Sequence, residues 1–262
     1  MRILVILRRV LDPAGIVAHR RLRRLFINRE VYIIQPADEC ALEAALRIKD
    51  AAEAEVVVAS GQPEPDDDTL RRGIAMGADR GIYVSGEAFE NADEAVVARA
   101  LEAVIERLGG VDLVLSGATT LDTGQSQLGL RLAEALGWPQ IVGAWQLEVA
   151  GGEVRAVCRD SEQYIRVEAD LPAVVSMASG ALKPRYPDGV RLINIYRDEG
   201  EVAEALQLWE VDELLTPEEL SPVVETLGRD FPPERERGER VEGPSEEAAQ
   251  VVAEALRQRM RG

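Results

Sequence analysis

The chain has 262 residues and 28.7 kDa, enough for one large domain or two small ones. Hydrophobic residues make up 46%, so a substantial core can be buried and wholesale disorder is excluded. A formal net charge of -17 excludes the broad basic face that duplex nucleic acid needs, yet leaves room for one anionic ligand in a locally positive pocket.

The first two-thirds alternate short apolar runs with helix-period segments. Ile3–Leu7 reads as a strand buried on both faces, and Val31–Ile34 as a second short strand. From Asp38, placed as a cap, to about Ala52 a helix carries Ala41, Leu42, Ala45 and Ile48 on one side. Val56–Ala59 returns to strand, Thr69–Met76 is helical up to Gly77, and Gly81–Val84 is strand again. Ala92–Leu108 reads as a long helix ended by Gly109-Gly110. Strand Val111–Leu115 follows, then a loop and a helix through Leu128, Leu132 and Ala135. This alternation predicts an α/β fold, Rossmann-like and doubly wound, with a mostly parallel sheet. After Pro139, Ile141–Val149 and Val154–Cys158 flank Gly151-Gly152 as a β-hairpin, with strands near Tyr164–Val167 and Ala173–Ser176.

The charge is unevenly placed. Residues 198–250 hold 17 acidic and 4 basic side chains, net -13, while residues 1–197 come to -6. The domain reading is therefore a nucleotide-binding α/β body over 1–197 and an acidic, Pro-punctuated region over 198–262. That region ends in a helix carrying Ala248, Val252 and Leu256, and composition alone favours a solvated tail over an arm on a partner. Cys40 and Cys158 are far apart and suggest buried thiols rather than a disulfide framework. With His19 the lone histidine, neither a zinc site nor a Ser-His-Asp triad is expected. No apolar run approaches the ~20 residues of a membrane span, and a cytoplasmic location is expected.

In an open α/β sheet, ligands sit beyond the carboxyl ends of the strands. Arg8–Asp12, Gln35–Asp38, Ser60–Pro63 and Ser116–Leu128 lie at such ends. The last is rich in glycine and hydroxyl residues, and it opens a helix near Gln125–Gln127. Free amides and the positive helix end could hold a phosphate there without a lysine; an ordinary strand-to-helix connection capped by Asp122 is the equally weighted alternative. A Walker lysine and G-x-G-x-x-G are both absent, which disfavours P-loop chemistry and a standard dinucleotide fold.

Several ordered motifs are shared with one family. They are Gln35-Pro36-Ala37-Asp38-Glu39 with the helix after it, Ala75-Met76-Gly77-Ala78-Asp79-Arg80, and Asp122 with Gln127 and Gly129. Leu136-Gly137-Trp138-Pro139-Gln140, Leu171-Pro172-Ala173-Val174-Val175-Ser176 and Pro184-Arg185-Tyr186 follow, and Pro232-Pro233-Glu234-Arg235 with Gly238 closes the series. In this the chain resembles the β-subunit of electron-transfer flavoprotein over nearly its whole length. The resemblance implies a non-catalytic subunit of a heterodimer, with FAD held mainly by the α-subunit and partly covered by the β-subunit, and with AMP as a structural nucleotide. It would carry electrons from flavin dehydrogenases to a quinone-reducing acceptor, with no nucleic acid and no membrane insertion. Carried over by position, the AMP pocket would comprise Ile6, Gln35, Pro36, Ala37, Asp38, Gly61 and the loop 117–128. From that loop come Gly117, Ala118, Thr119, Leu121, Asp122, Thr123, Gly124, Gln125, Ser126, Gln127 and Leu128. The acidic region then reads as an arm wrapped on the α-subunit. Two alternatives stand beside this: an NADH-linked bifurcating subunit with a second FAD in the AMP pocket, or a free-standing adenine-nucleotide-binding module. After Tyr186 the chain departs from relatives that dock acyl-CoA dehydrogenases, because Gly189 stands where they carry an exposed leucine and their lysine-rich run is missing.

Overall fold

The computed structural model describes residues 1–63, 67–124, 127–161, 163–197, 203–225, 227–228, 230–233 and 241–260. The first half of the chain supplies β1 (Arg2–Ile6), β2 (Arg9–Leu11), β3 (Ile16–His19), β4 (Arg24–Ile27), β5 (Tyr32–Ile34) and α1 (Pro36–Ala51). It continues with β6 (Glu55–Gln62), α2 (Asp67–Met76), β7 (Arg80–Ser85), α3 (Glu94–Arg107), β8 (Leu113–Gly117) and α4 (Leu128–Leu136). The second half adds β9 (Gln140–Ala150), β10 (Glu153–Asp160), β11 (Gln163–Asp170), β12 (Ala173–Met177), α5 (Gly189–Tyr196), β13 (Leu206–Glu210) and α6 (Ser245–Arg259).

Nine strands form one sheet in the order β11-β10-β9-β12-β8-β1-β6-β7-β13. All neighbours from β9 to β13 pair in parallel, and β10 and β11 extend the β9 edge antiparallel. The fold is thus the expected Rossmann-like α/β architecture. Strand period explains its two layers. In β1, Ile3 and Val5 join one core with Leu42 and Leu46 of α1 and Leu70 and Ile74 of α2. Leu4 and Ile6 face the other core, with Val96, Leu101 and Val104 of α3 and Leu132 of α4. The chain moves outward from β1 through β6 to β7, then returns to place β8 on the far side of β1. That reversal opens a crevice between the carboxyl ends of β1 and β8.

Three local expectations change. The helix begins at Pro36 with Gln35 as its N-cap residue, so Asp38 lies inside the first turn and does not cap it. Residues 32–34 form a strand, but it pairs antiparallel with β2 outside the main sheet, and β3 and β4 form a separate hairpin. The sheet also draws its ninth strand from the acidic region. Leu206–Glu210 pairs with β7, and Val211 and Leu215 are buried beneath it. The body therefore extends past residue 198, because Leu206 and Trp209 of this edge strand pack against the two cores. The β9–β10 turn uses Gly151 and Gly152 at φ 65 and φ 84, a left-handed pair that only glycine adopts readily. Among the described residues, no helix is long and apolar enough to cross a membrane.

Candidate functional site

Asp38 organises the crevice. It is wholly buried, and its carboxylate accepts four hydrogen bonds. The Arg8 amide and Nε donate to Oδ2 at 2.8 and 2.9 Å, and Arg8 Nη2 and the Gly117 amide donate to Oδ1 at 2.7 Å each. Arg8 Nη2 also reaches the Gly117 carbonyl at 3.0 Å. One side chain on α1 thus ties the end of β1 to the end of β8. Burial alone would lower the Arg8 guanidinium, but the Asp38 charge and hydrogen bond outweigh it and hold the group above its ordinary value. The clamp requires glycine at 117: a Cβ there would lie 2.5 Å from Asp38 Oδ1 and 2.6 Å from the Ala37 Cβ.

Gln35 stands beside this clamp, 2% exposed. Its amide donates to the Arg8 carbonyl at 2.8 Å, and its side-chain Nε2 donates to the Thr119 carbonyl. Its Oε1 is buried without a hydrogen-bond partner. A buried acceptor left unmatched costs stability.

In front of the clamp lies a cavity of about 190 Å³, lined by Ile6, Gly61, Asp122 and Leu128 from the anticipated set and by Thr120 within the same loop. Arg8, Arg9, Gln62, Glu94 and Val97 complete it. Thr123 and Gln127 lie instead on an adjoining depression of about 830 Å³, with Asp93, Glu94, Arg131 and residues 222–225. Gln35, Pro36, Ala37, Asp38, Gly117, Ala118 and Thr119 do not line the cavity. Of these, Ala37 and Asp38 are spent on packing and on the clamp. Leu121 points largely to solvent, Gly124 turns the loop at φ 69, and Gln125 and Ser126 fall outside the described residues. Asp122 Oδ1 accepts from the Thr123 amide within the loop, while α4 starts from Gln127 without a side-chain cap.

Glu94 is the residue the sequence reading missed. Its Oε2 accepts from the Gln127 amide at 3.0 Å, where α4 opens. Burial raises its carboxyl above the ordinary carboxylate range, against the opposing pull of the Gln127 amide, Arg8 and Arg131. The signal was available: α3 follows β7, so its first turn lies on the same carboxyl edge as the segments that were chosen. Gly129 brings α4 close to the sheet, since a Cβ there would meet Ser176 Oγ at 2.8 Å and Ser116 Oγ at 2.9 Å. Those two hydroxyls pair with each other at 3.2 Å. Among the described residues, no group of three His, Cys, Asp or Glu side chains could hold a metal ion. The cavity lining mixes apolar Ile6, Val97 and Leu128 with charged Arg8, Arg9, Glu94 and Asp122, a composition that suits a polar ligand with an apolar part.

Comparison with known proteins agrees in kind. Residues 25–205 match the family model described as "Electron transfer flavoprotein domain". "Electron transfer flavoprotein subunit beta" of Bacillus subtilis is 30% identical over 225 residues, 85% of each chain. The protein of that name from Thermoanaerobacterium thermosaccharolyticum is 30% identical over 260 residues, 99% of each chain. "Acryloyl-CoA reductase electron transfer subunit gamma" of Anaerotignum propionicum is 31% identical over 189 residues, 71% of each chain. With a doubly wound sheet and similarity running almost end to end, the chain belongs to the electron-transfer flavoprotein β-subunit family.

Proposed function

We infer that this chain pairs with a flavoprotein α-subunit, holds AMP in the β1/β8 crevice, and covers part of an FAD carried mainly by that partner. The flavin supplies the redox chemistry when bound. The observation that carries the nucleotide reading is the cavity at the carboxyl ends of the strands, where Ile6, Val97 and Leu128 line it together with Arg8 and Arg9. The apolar walls suit a base and the arginines beside them suit an anion, so the residues fit an adenine nucleotide. Asp38, Arg8 and Gly117 hold the two strand ends in register and keep water from the crevice floor. No side chain of the chain is needed as an acid or base.

The partner reading is supported by α6. None of its fifteen residues is buried, yet Val251, Val252 and Leu256 run along it as an exposed apolar stripe. A partner wrapped by the acidic region beyond β13 would cover that stripe. In this reading electrons arrive from flavin dehydrogenases and leave to a quinone-reducing acceptor, and the subunit works in the cytoplasm.

Co-expression with a neighbouring α-subunit gene tests this. The expected product is a yellow 1:1 complex, with this chain colourless when made alone. A stable yellow homodimer from this chain alone would overturn the reading.

A further inference from the structure

The β3–β4 hairpin contributes nothing to either core. It is inserted between β2, whose Arg9 and Val10 line the 190 Å³ cavity, and β5. Its root is fixed by backbone bonds. The Asp12 amide donates to the Val31 carbonyl at 2.8 Å, the Gly15 amide to the Asp12 carbonyl at 3.0 Å, and the Asn28 amide to the Gly15 carbonyl at 2.9 Å. Above that root, no residue from Ile16 to Arg29 is buried. The pairs Ile16–Ile27 and Ala18–Leu25 set four apolar side chains on one face, and the pair Val17–Phe26 sets two on the other. Leu25 is 62% exposed, Ile27 56%, Val17 47% and Phe26 42%. A two-stranded hairpin with both faces in water is marginal by itself, so apolar residues on both faces describe a surface made to be covered.

Charge indicates what covers it. Residues 16–29 carry Arg20, Arg21, Arg23, Arg24 and Arg29 and no carboxylate, in a chain whose formal net charge is -17. Arg29 pairs with Asp12 at the root, at 3.9 Å. Arg23 meets the acidic region instead: its Nη2 donates to Asp230 Oδ1 at 2.6 Å and to the Phe231 carbonyl at 3.2 Å, with the guanidinium 6.0 Å from the Phe231 ring. Among the described residues, Arg20, Arg21 and Arg24 make no ion pair. The one tip arginine with a partner thus shows what this element accepts, a carboxylate next to an apolar side chain. The same contact makes the hairpin continuous with the arm that Proposed function places on the partner subunit. We propose that the β3–β4 hairpin is a docking element for that subunit, and that it fits a surface there of carboxylates interleaved with apolar side chains. This rests on the partner reading above and adds to it a second contact, opposite in sign to the acidic arm. Two contacts of opposite sign would fix the partner's orientation as well as its attachment, since reversing it would set like charges together.

Hydrogen exchange of the full-length chain, alone and in the co-expressed complex, tests this. Amides of residues 16–27 should exchange at least about tenfold more slowly in the complex. A triple variant, Arg20→Glu with Arg21→Glu and Arg24→Glu, changes only exposed positions. It should weaken the complex about 100-fold in low salt, read as dissociation on dilution, and less in high salt. Lysine at the same three positions keeps the charge and should cost less than about tenfold. Equal exchange in the two states, or a charge-reversed variant that assembles like wild type, overturns the proposal and leaves the partner reading standing. A lysine variant as weak as the charge-reversed one overturns the carboxylate chemistry and with it the proposal. Protection that grows with the concentration of the chain alone would assign the hairpin to a second copy. Protection gained only on vesicles of anionic lipid would assign it to a membrane. Either result overturns the proposal. If the wild-type chain forms no complex with an α-subunit, both readings fall.

Discussion

In the crevice, Asp38 is wholly buried and its carboxylate accepts four hydrogen bonds, whereas no residue of α6 is buried at all. The two regions carry charge for opposite ends. Inside the body a single carboxylate is fully matched and joins β1 to β8. Along the arm, carboxylates crowd beside exposed apolar residues, Val251, Val252 and Leu256 among them. Between them lies a root where the arm is pinned. Asp93 caps α3 with Oδ1 and accepts from the Val223 and Val224 amides with Oδ2 at 2.8 Å each. Arg99 holds the Glu219 and Ser221 carbonyls beside it. Stability of the fold is concentrated in the first region, and α6 contributes no buried residue to it.

Breaking the clamp should have the largest effect. Asp38→Ala leaves Arg8 buried without its partner and is expected to destabilise the chain by about 3–5 kcal/mol, read as a lower urea midpoint. A crowding change is gentler. Gly117→Ala drives a methyl into Asp38 Oδ1 and the Ala37 Cβ and should cost about 1–3 kcal/mol by the same measurement. At the root, Asp93→Ala removes a helix cap, at a cost of about 1 kcal/mol, and should speed proteolysis near residues 221–228.

The Asp93 carboxyl also gives that root a pH dependence. Burial pushes it up, but the Val96, Val223, Val224 and Ala95 amides outweigh this and hold it below the ordinary range. A carboxylate depressed in the fold contributes stability above its unfolded value near pH ~3.9 and loses it as pH falls through the folded value. Limited proteolysis of the root should therefore accelerate only below about pH 4, and Asp93→Asn should abolish that acid step. Deleting residues 231–262 should change the melting of the isolated chain least of all, by less than about 0.5 kcal/mol, while weakening heterodimer formation. A large loss of stability on deletion would erase the contrast between the regions.

The parts legible in the sequence were those with a strong period. Runs such as Ile3–Leu7 and Val111–Leu115 need no context to read as buried strands. The β3–β4 hairpin escaped because its residues are exposed and interrupted by Arg20, Arg21, Arg23 and Arg24. β13 escaped because its alternation sits within an acidic stretch. At the site, strand-end reasoning brought together Ile6, Gly61, Asp122 and Leu128, which line one cavity. It could not tell that Asp38 faces inward onto Arg8, since a clamp and a ligand contact look alike in one dimension. Glu94 was passed over because the rule was not carried to the strand end before α3.

An adenine nucleotide in the β1/β8 crevice of a heterodimer is the central expectation. Acid extraction of the co-expressed complex, followed by chromatographic quantitation, measures this directly. One AMP and one FAD per heterodimer is the expected result. Two FAD with no AMP, or FAD with no adenine nucleotide beside it, would contradict it.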